Sequence, residues 1–216
     1  MDKRQKRKTI VTIFVMTVAS IVAIVVSSAV LSLAEDQNDS RQKTVTNIQE
    51  ASINNKAPNI RLKTIDDRTI TLEQFKGKPV ILWFMSAWCE NCIDSAETLR
   101  KIHSTFGQKI EIVTIDIWSA QNLAKLDPSV QKYNLAESEE DLGIFKKTFG
   151  GDWHWSLDDD YVLFKYEITV IDSTVVLDQQ GTIIFVNRGL IEYETLSAII
   201  EDILNKYADS LPSGQL

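Results

Sequence analysis

PVILWFMSAWCENC, residues 79–92, contains the strongest indication of the fold in this sequence. Its first half is a continuous apolar run of strand length, which is typical of the buried middle of a sheet. Its second half holds Cys89 and Cys92, the two cysteines of the 216-residue chain. After them, apolar residues recur at steps of three and four from Ile93 to Phe106, the pattern of an amphipathic helix. We therefore expect the cysteines at the point where a buried strand turns into a helix.

This position predicts a reactive first sulfur. A thiolate at Cys89 would lie at the positive end of the helix dipole, near unpaired backbone N–H groups, so its pKa would fall. Cys92, one turn further on, could attack a mixed disulfide formed by Cys89 and release the partner.

Two other interpretations of the pair stay open. A structural disulfide closing so short a loop would stabilise the fold little. A Cu(I) site could use the two thiolates together with His154. His103, the other histidine, lies about 16 Å along the same predicted helix from Cys92 and could not close a shared site.

The N-terminal segment predicts a membrane anchor. Five basic residues lie between Lys3 and Lys8, and no charged residue occurs from Thr9 to Ala34. A helix of that length crosses a hydrocarbon core of about 30 Å, and flanking basic residues stay in the cytoplasm. We expect residues 1–8 to be a cytoplasmic tail, residues 9–34 a single transmembrane span at the cell membrane, and the remainder extracytoplasmic. The alternative is a signal peptide cleaved after Ala34, although signal peptides have apolar regions of only about 7–15 residues.

The exported part is acidic. Residues 35–56 are polar without a sustained period, so they are expected to form a linker spanning about 25 Å. The formal net charge is −7, and because residues 1–34 carry a net +4, the remainder carries −11. Such a surface repels phosphate groups, so nucleic acid is not an expected partner. The domain predicted over residues 57–208, before a tail at 209–216, must be stabilised by a hydrophobic core.

The remaining patterns alternate between strand and helix. We expect a strand pair around Asp66, a second buried strand over residues 109–118, and a helix opening with the capping box Ser138-x-x-Asp141. A short helix over residues 158–168, a hairpin around residues 178–181 and an amphipathic helix over residues 193–207 follow. This order predicts an α/β fold in which helices cover a central mixed sheet.

The cysteine stretch resembles the active-site strand and turn of the thioredoxin superfamily, in particular its membrane-anchored TlpA/ResA-like branch, whose pattern is close to Trp-Cys-Glu-Pro-Cys. The similarity extends over roughly residues 57–207 and includes the strand IEIVTIDI and the hairpin VVLDQQGTIIFVNRG. It implies a thioredoxin-like three-layer fold and a thiol:disulfide oxidoreductase without a cofactor or resident metal. It also implies a redox-active Cys89–Cys92 disulfide, in which Cys89 attacks and Cys92 resolves.

The resemblance also implies partners and tuning residues. The substrates would be oxidised cysteines of exported proteins, such as apocytochrome c or copper-site thiols, and a membrane thiol carrier would supply electrons. Trp88 would pack beside the site, or be an ordinary core residue. Glu90 would raise the pKa of the neighbouring thiol, or be a plain solvated charge.

Two residues depart from the pattern close to the site. Asn91 stands where the family usually has proline, which would alter the balance between dithiol and disulfide. Asp172 stands where a cis-proline normally faces the first cysteine. Because a non-proline cis bond costs about 3–4 kcal/mol, we expect a trans bond between Ile171 and Asp172. Negative charge at Asp172 would raise the pKa of Cys89 unless a hydrogen bond offsets it.

A third departure concerns proton transfer. Trp83 occupies the position of the buried acid that accepts a proton from the second cysteine in thioredoxins. The candidate replacements are Glu90, Asp94 and Asp172.

Two alternative functions follow from these residues. Residues 86–89, Ser-Ala-Trp-Cys, imitate the Thr-x-x-Cys of peroxiredoxins, although Leu82 stands where those enzymes have proline. A peroxiredoxin-like peroxide reductase is therefore one alternative. A copper metallochaperone using Cys89, Cys92 and His154 is the other, although Sco-like chaperones have a Cys-x-x-x-Cys spacing.

Overall fold

Seven strands and five α-helices make up the computed structural model, which describes residues 53–129 and 135–210. The strands are β1 (Arg61–Lys63), β2 (Thr69–Thr71), β3 (Val80–Met85), β4 (Glu111–Asp116), β5 (His154–Leu157), β6 (Ser173–Leu177) and β7 (Ile183–Arg188). The helices are α1 (Asn91–Phe106), α2 (Ala120–Leu126), α3 (Glu139–Phe149), α4 (Val162–Lys165) and α5 (Tyr193–Ser210).

β3 is the middle strand of a five-stranded sheet with the order β5-β4-β3-β6-β7. β3, β4 and β5 are parallel, whereas β6 and β7 run antiparallel to them, so the predicted mixed sheet is confirmed. All six residues of β3 are buried, because both faces of the sheet are covered. Met85 pairs with Asp116 at the end of β4, which brings the carboxyl ends of these two strands to the edge that carries the cysteines.

Two hydrophobic cores lie on opposite faces of the sheet. On one face, Trp83 packs with residues of α1, α3 and α5, among them Leu99, Leu142 and Leu196. On the other face, Phe84 packs with residues of β1, β2 and α4. The arrangement has three layers, as the thioredoxin-like prediction required.

The helix ends follow local sequence signals. The apolar stripe of α1 is buried from Cys92 to Phe106. α3 begins at the predicted capping box, in which Ser138 Oγ accepts from the Asp141 amide and the Asp141 carboxylate accepts from the Ser138 amide.

Two elements were missed in the sequence. β5 is a four-residue edge strand that begins at His154, inside the segment DWHW, and α2 lies in a segment without a clear period. Both are short, and their positions depend on contacts with β4 and with the residues after β5 rather than on their own pattern.

The domain begins before the predicted boundary at Ala57. The Asn54 amide donates to the Ile183 carbonyl at 2.8 Å, and the Ile183 amide donates to the Asn55 carbonyl at 2.9 Å. Lys56 and Thr182 form an antiparallel bridge, so the last residues of the predicted linker extend the sheet beside β7.

The predicted tail 1–8, the anchor 9–34 and most of the linker lie outside the described residues, as do residues 211–216. Within residues 53–129 and 135–210, no helix combines the length and apolar character needed to span a membrane.

Candidate functional site

Cys89 lies on the turn between β3 and α1, and Cys92 lies in the first turn of α1. We call residues 86–90 the cysteine turn. The Cys89 amide donates to the Ser86 carbonyl at 3.0 Å, and the Cys92 amide donates to the Cys89 carbonyl at 3.1 Å. Cys89 and Cys92 form a disulfide whose Cα atoms are 5.3 Å apart. Cys89 is partly exposed whereas Cys92 is fully buried, so only the first sulfur is accessible to another protein.

Three residues on or next to the turn are exposed. Trp88 is 58% exposed, and its ring packs edge-on against Trp118 with 5.2 Å between centroids, so it is a surface residue and not a core residue. Glu90 precedes α1 and makes no side-chain capping bond, as expected of a solvated charge. Asn91 is the first residue of the helix and is also exposed.

Asp172 is buried, and its carboxyl group points into the protein. Oδ1 accepts from Trp83 Nε1 and Oδ2 accepts from Ser95 Oγ, both at 2.9 Å. Its backbone φ is +65°, in the left-handed region, and the described residues contain no cis peptide bond, as predicted for the bond that precedes it. Its carbonyl accepts from the Gly189 amide at 2.6 Å, which joins the loops before β6 and after β7.

The buried acid of this site, Asp172, comes from a different part of the chain than the buried acid of thioredoxins. Trp83 stands on β3 where thioredoxins have the acid, but its indole N–H holds a carboxyl group that comes from another loop. Ser95, the second donor, lies one turn after Cys92 on α1. Burial raises the pKa of Asp172, and the hydrogen bonds from Trp83 and Ser95 oppose that rise. Of the three acids considered as proton acceptors, Glu90 and Asp94 are exposed, and Asp172 alone is buried.

Two further acids, Glu137 and Asp116, lie at the cysteine turn, and neither was among the predicted site residues. Glu137 Oε2 accepts from Ser86 Oγ and the Ala87 amide, and Oε1 accepts from the Trp88 amide. Asp116, fully buried at the end of β4, accepts from the Trp118 amide. The position of Asp116 at the carboxyl end of a buried parallel strand is a usable signal, because ligand and active sites gather at that edge. Glu137 lies outside any periodic pattern.

His154 lies far from the cysteines. It begins β5 and pairs in register with Val113, whereas the cysteine turn follows the other end of these parallel strands. Three residues of strand separate His154 from that edge, about 10 Å. Its ring contacts Glu111 Oε2 at 3.2 Å, the carboxylate that also binds Lys78. The copper site formed by Cys89, Cys92 and His154 is therefore wrong.

Comparisons with known proteins agree with this geometry. The profile of the AhpC/TSA family matches residues 53–186. The thiol-disulfide oxidoreductase ResA of Bacillus subtilis is 26% identical over 160 residues, covering 73% of this chain and 77% of ResA. The thioredoxin-like protein YneN of the same organism is 24% identical over 147 residues, covering 68% of this chain and 76% of YneN. The crystal structure of a thioredoxin-like protein from Aeropyrum pernix superposes with a TM-score of 0.60 at 24% identity, covering 78% of this chain and 98% of that one.

Proposed function

Because this chain belongs to the AhpC/TSA family and is a ResA-like thiol:disulfide oxidoreductase of the thioredoxin superfamily, we propose that it reduces disulfides of exported proteins on the outer side of a membrane. The observation that carries the proposal is the Cys89–Cys92 disulfide at the start of α1, with one sulfur partly exposed and the other buried. This asymmetry supports attack by Cys89 and resolution by Cys92.

The reaction begins from the dithiol. The Cys89 thiolate attacks one sulfur of the substrate disulfide, forming a mixed disulfide and releasing the other substrate sulfur as a thiolate that takes up a proton. The Cys92 thiol loses its proton and attacks Cys89, so the second substrate sulfur leaves as a thiol. Two electrons pass to the substrate, and the Cys89–Cys92 disulfide remains. A dithiol donor reverses these steps on the protein and restores the starting state.

Asp172 is suited to accept the Cys92 proton. Cys92 is buried, so its proton needs an internal acceptor. Asp172 is bound to Ser95 on the next turn of the same helix and to Trp83, which belongs to the same hydrophobic cluster as Cys92. Burial raises its pKa, which makes the carboxylate a better base than a solvated aspartate.

Apolar side chains at the site favour a polypeptide substrate. Trp88 is exposed on the cysteine turn, Val170 is 43% exposed before β6, and Leu190 is 47% exposed after β7. The last two lie on loops joined by the hydrogen bond between Asp172 and Gly189. An unfolded chain around a disulfide presents apolar residues that match such a surface, whereas a small disulfide would not require it.

The location and partners belong to the same proposal. The basic residues before Thr9 and the uncharged run to Ala34 support an anchor with the catalytic domain outside the cytoplasm. Electrons would then come from a membrane thiol carrier. The substrates would be cysteines of exported proteins before they bind haem or copper.

Peroxide reduction is the second candidate, favoured by Ser86 at the third position before Cys89. However, Ser86 Oγ donates to Glu137, and Leu82 fills the core at the position where peroxiredoxins have proline. Both observations favour disulfide exchange.

A redox titration of the full-length protein in detergent tests the function. The protein is equilibrated with thiol buffers of graded potential, and free thiols are counted after quenching. We expect two thiols to appear together at one midpoint, which also reports whether the protein acts as a reductant or an oxidant. Cys89→Ser and Cys92→Ser are the matched controls, and only Cys92→Ser should trap a mixed disulfide with the partner. A pair that never cycles would refute disulfide exchange, and peroxide consumption by the dithiol at a rate above that of disulfides would favour the second candidate.

Labelling of intact cells tests the location. Because the chain has two cysteines, both at this site, a membrane-impermeant maleimide reports on the site alone. We expect the reduced protein to be labelled in unbroken cells, with Cys89→Ser as the control. Labelling only after lysis would place the site in the cytoplasm.

A further inference from the structure

Glu137 holds the backbone of the cysteine turn, and none of the steps above uses it. Its carboxylate accepts from the Trp88 amide at 2.8 Å, and from Ser86 Oγ and the Ala87 amide at 3.0 Å each. These donors are the three residues directly before Cys89. Glu137 itself lies in residues 135–138, which belong to no helix or strand. One side chain therefore connects a separate segment to the turn that carries the attacking thiol.

Asp116 is fully buried and lies within hydrogen-bonding reach of Glu137. Its Oδ1 accepts from the Trp118 amide at 2.9 Å, while its Oδ2 is buried and has no hydrogen-bond donor among residues 53–129 and 135–210. An ionised oxygen in that position would be costly, whereas a protonated one is itself a donor. Burial, followed by the hydrogen bond and charge of Glu137, raises the pKa of Asp116 to about 9. A protonated Asp116 can donate to the Glu137 carboxylate.

We propose that Asp116 and Glu137 are positioning residues of the cysteine turn. One proton shared between their carboxyl groups keeps Glu137 hydrogen-bonded to the turn, and we call this state the closed turn. This inference rests on the proposed function, because it concerns the turn that presents Cys89. With the proton in place, the two carboxyl groups carry one negative charge, and Glu137 remains free to accept its three bonds from the turn. Without it, two carboxylates in contact repel each other. Glu137, on the segment outside regular structure, then withdraws and releases the amides of Ala87 and Trp88.

The neighbouring charged groups have other partners or face solvent. Asp158, after β5, accepts from Asn122 Nδ2 and from the amides of Val162 and Leu163. Asp172 is bound to Trp83 and Ser95. Glu111, at the other end of β4, binds Lys78 and His154. The acids at the starts of α1 and α3 are exposed, namely Glu90, Asp94, Glu139, Glu140 and Asp141. The shared proton therefore depends chiefly on Asp116 and Glu137.

The direction of the pH dependence follows from the raised pKa of Asp116. An aspartate in an unfolded chain has a pKa of about 3.9. In the folded protein with the turn closed, the pKa of Asp116 is about 9. Between these values the folded protein holds a proton that the unfolded chain lacks, so the stability contributed by the pair falls as the pH rises. The contribution of the pair is complete below the ordinary carboxyl pKa and is lost as the pH passes the raised value.

NMR of the oxidised full-length protein in a neutral detergent tests the proposal, because a disulfide removes titration of the cysteines. The ¹³C resonance of the Asp116 carboxyl group and the amide resonances of Ala87 and Trp88 are followed from pH 5 to 10. We expect the three signals to move together, with a midpoint near pH 9. An Asp116 carboxyl group that titrates near pH 4, or turn amides that do not follow it, would overturn the proposal.

Two variants separate the shared proton from simple packing. In Asp116→Asn the carboxamide donates to Glu137 and accepts from Trp118, so we expect the turn to stay closed and its amides to lose the transition near pH 9. A transition that persists in this variant would contradict the proposal.

Glu137→Gln leaves one acceptor oxygen and removes the charge beside Cys89. We expect iodoacetamide to alkylate reduced Glu137→Gln about threefold to tenfold faster than the wild type at pH 7, because a nearby carboxylate disfavours the thiolate. An unchanged or slower rate would contradict a Glu137 carboxylate held next to Cys89 by the turn.

These readouts are independent of turnover. Failure of the disulfide to cycle in redox buffers would refute the proposed function and leave the carboxyl titration unaffected. A normal cycle with an ordinary Asp116 titration would refute the shared proton alone.

Discussion

Restoring the proline that the thioredoxin pattern has at position 172 should destabilise this protein. Proline fixes φ near −65°, whereas Asp172 has φ of +65°, so Asp172→Pro forces the loop before β6 into another conformation. The substitution also removes the acceptor of Trp83 Nε1 and Ser95 Oγ. Each buried donor left without a partner costs about 1–3 kcal/mol, and the backbone change adds about 1–3 kcal/mol. We expect the free energy of unfolding to fall by about 4 kcal/mol or more.

Two matched variants divide this loss between its causes. Asp172→Gly accepts the positive φ but still leaves both donors unpaired, so we expect a loss of about 2–6 kcal/mol. Asp172→Asn tolerates the left-handed region and keeps one acceptor oxygen, so a loss of about 1–2 kcal/mol is expected. Urea unfolding of the oxidised proteins, followed by tryptophan fluorescence, measures all three. An Asp172→Pro variant within 1 kcal/mol of the wild type, or less affected than Asp172→Gly, would refute the assignment of Asp172 as a buried anchor of the loop.

Three further predictions concern the surface, the far end of the sheet and a helix cap. Trp88→Ala should slow the reduction of a disulfide in an unfolded polypeptide about tenfold, because Trp88 offers apolar contact area beside Cys89. The reduction of a small aromatic disulfide should slow less than threefold. Equal losses of rate in stopped-flow assays would contradict this role of Trp88. His154→Ala should leave the redox midpoint of the cysteines unchanged, since its ring contacts Glu111; a shifted midpoint would place it at the site. Ser138→Ala should lower stability by about 1 kcal/mol through loss of the α3 cap, and an unchanged urea midpoint would show that the cap contributes nothing.

The sequence predicted those parts of the fold whose patterns are local. β3 is apolar throughout because it is covered on both faces, α1 repeats its apolar residues at helical spacing, and Ser138 begins a helix by its own hydrogen bonds. β5 could not be read in this way, because an edge strand of four residues depends on its pairing with β4.

The site residues could be predicted from the sequence only where their partners are close in sequence. Cys89 and Cys92 lie one turn apart, so their disulfide follows from spacing once the fold is known. The inward direction of Asp172 depends on Trp83, 89 positions earlier, and no local pattern reports that pairing. Glu137 reaches Ala87 across 50 positions for the same reason.

The entry of the chain into the domain has a practical consequence. Residues 54–56 join the sheet at the beginning of β7, beside the turn after Leu177. Leu177 pairs with Val80, the first residue of β3, whereas the cysteine turn follows the last residue of that strand. About 20 Å of strand therefore separates the point of attachment from the reacting sulfur. A tag or fluorophore attached before residue 53 would therefore lie at the end of the domain that is far from the cysteines. The protein can be immobilised on a solid support through that end with Cys89 exposed to solution.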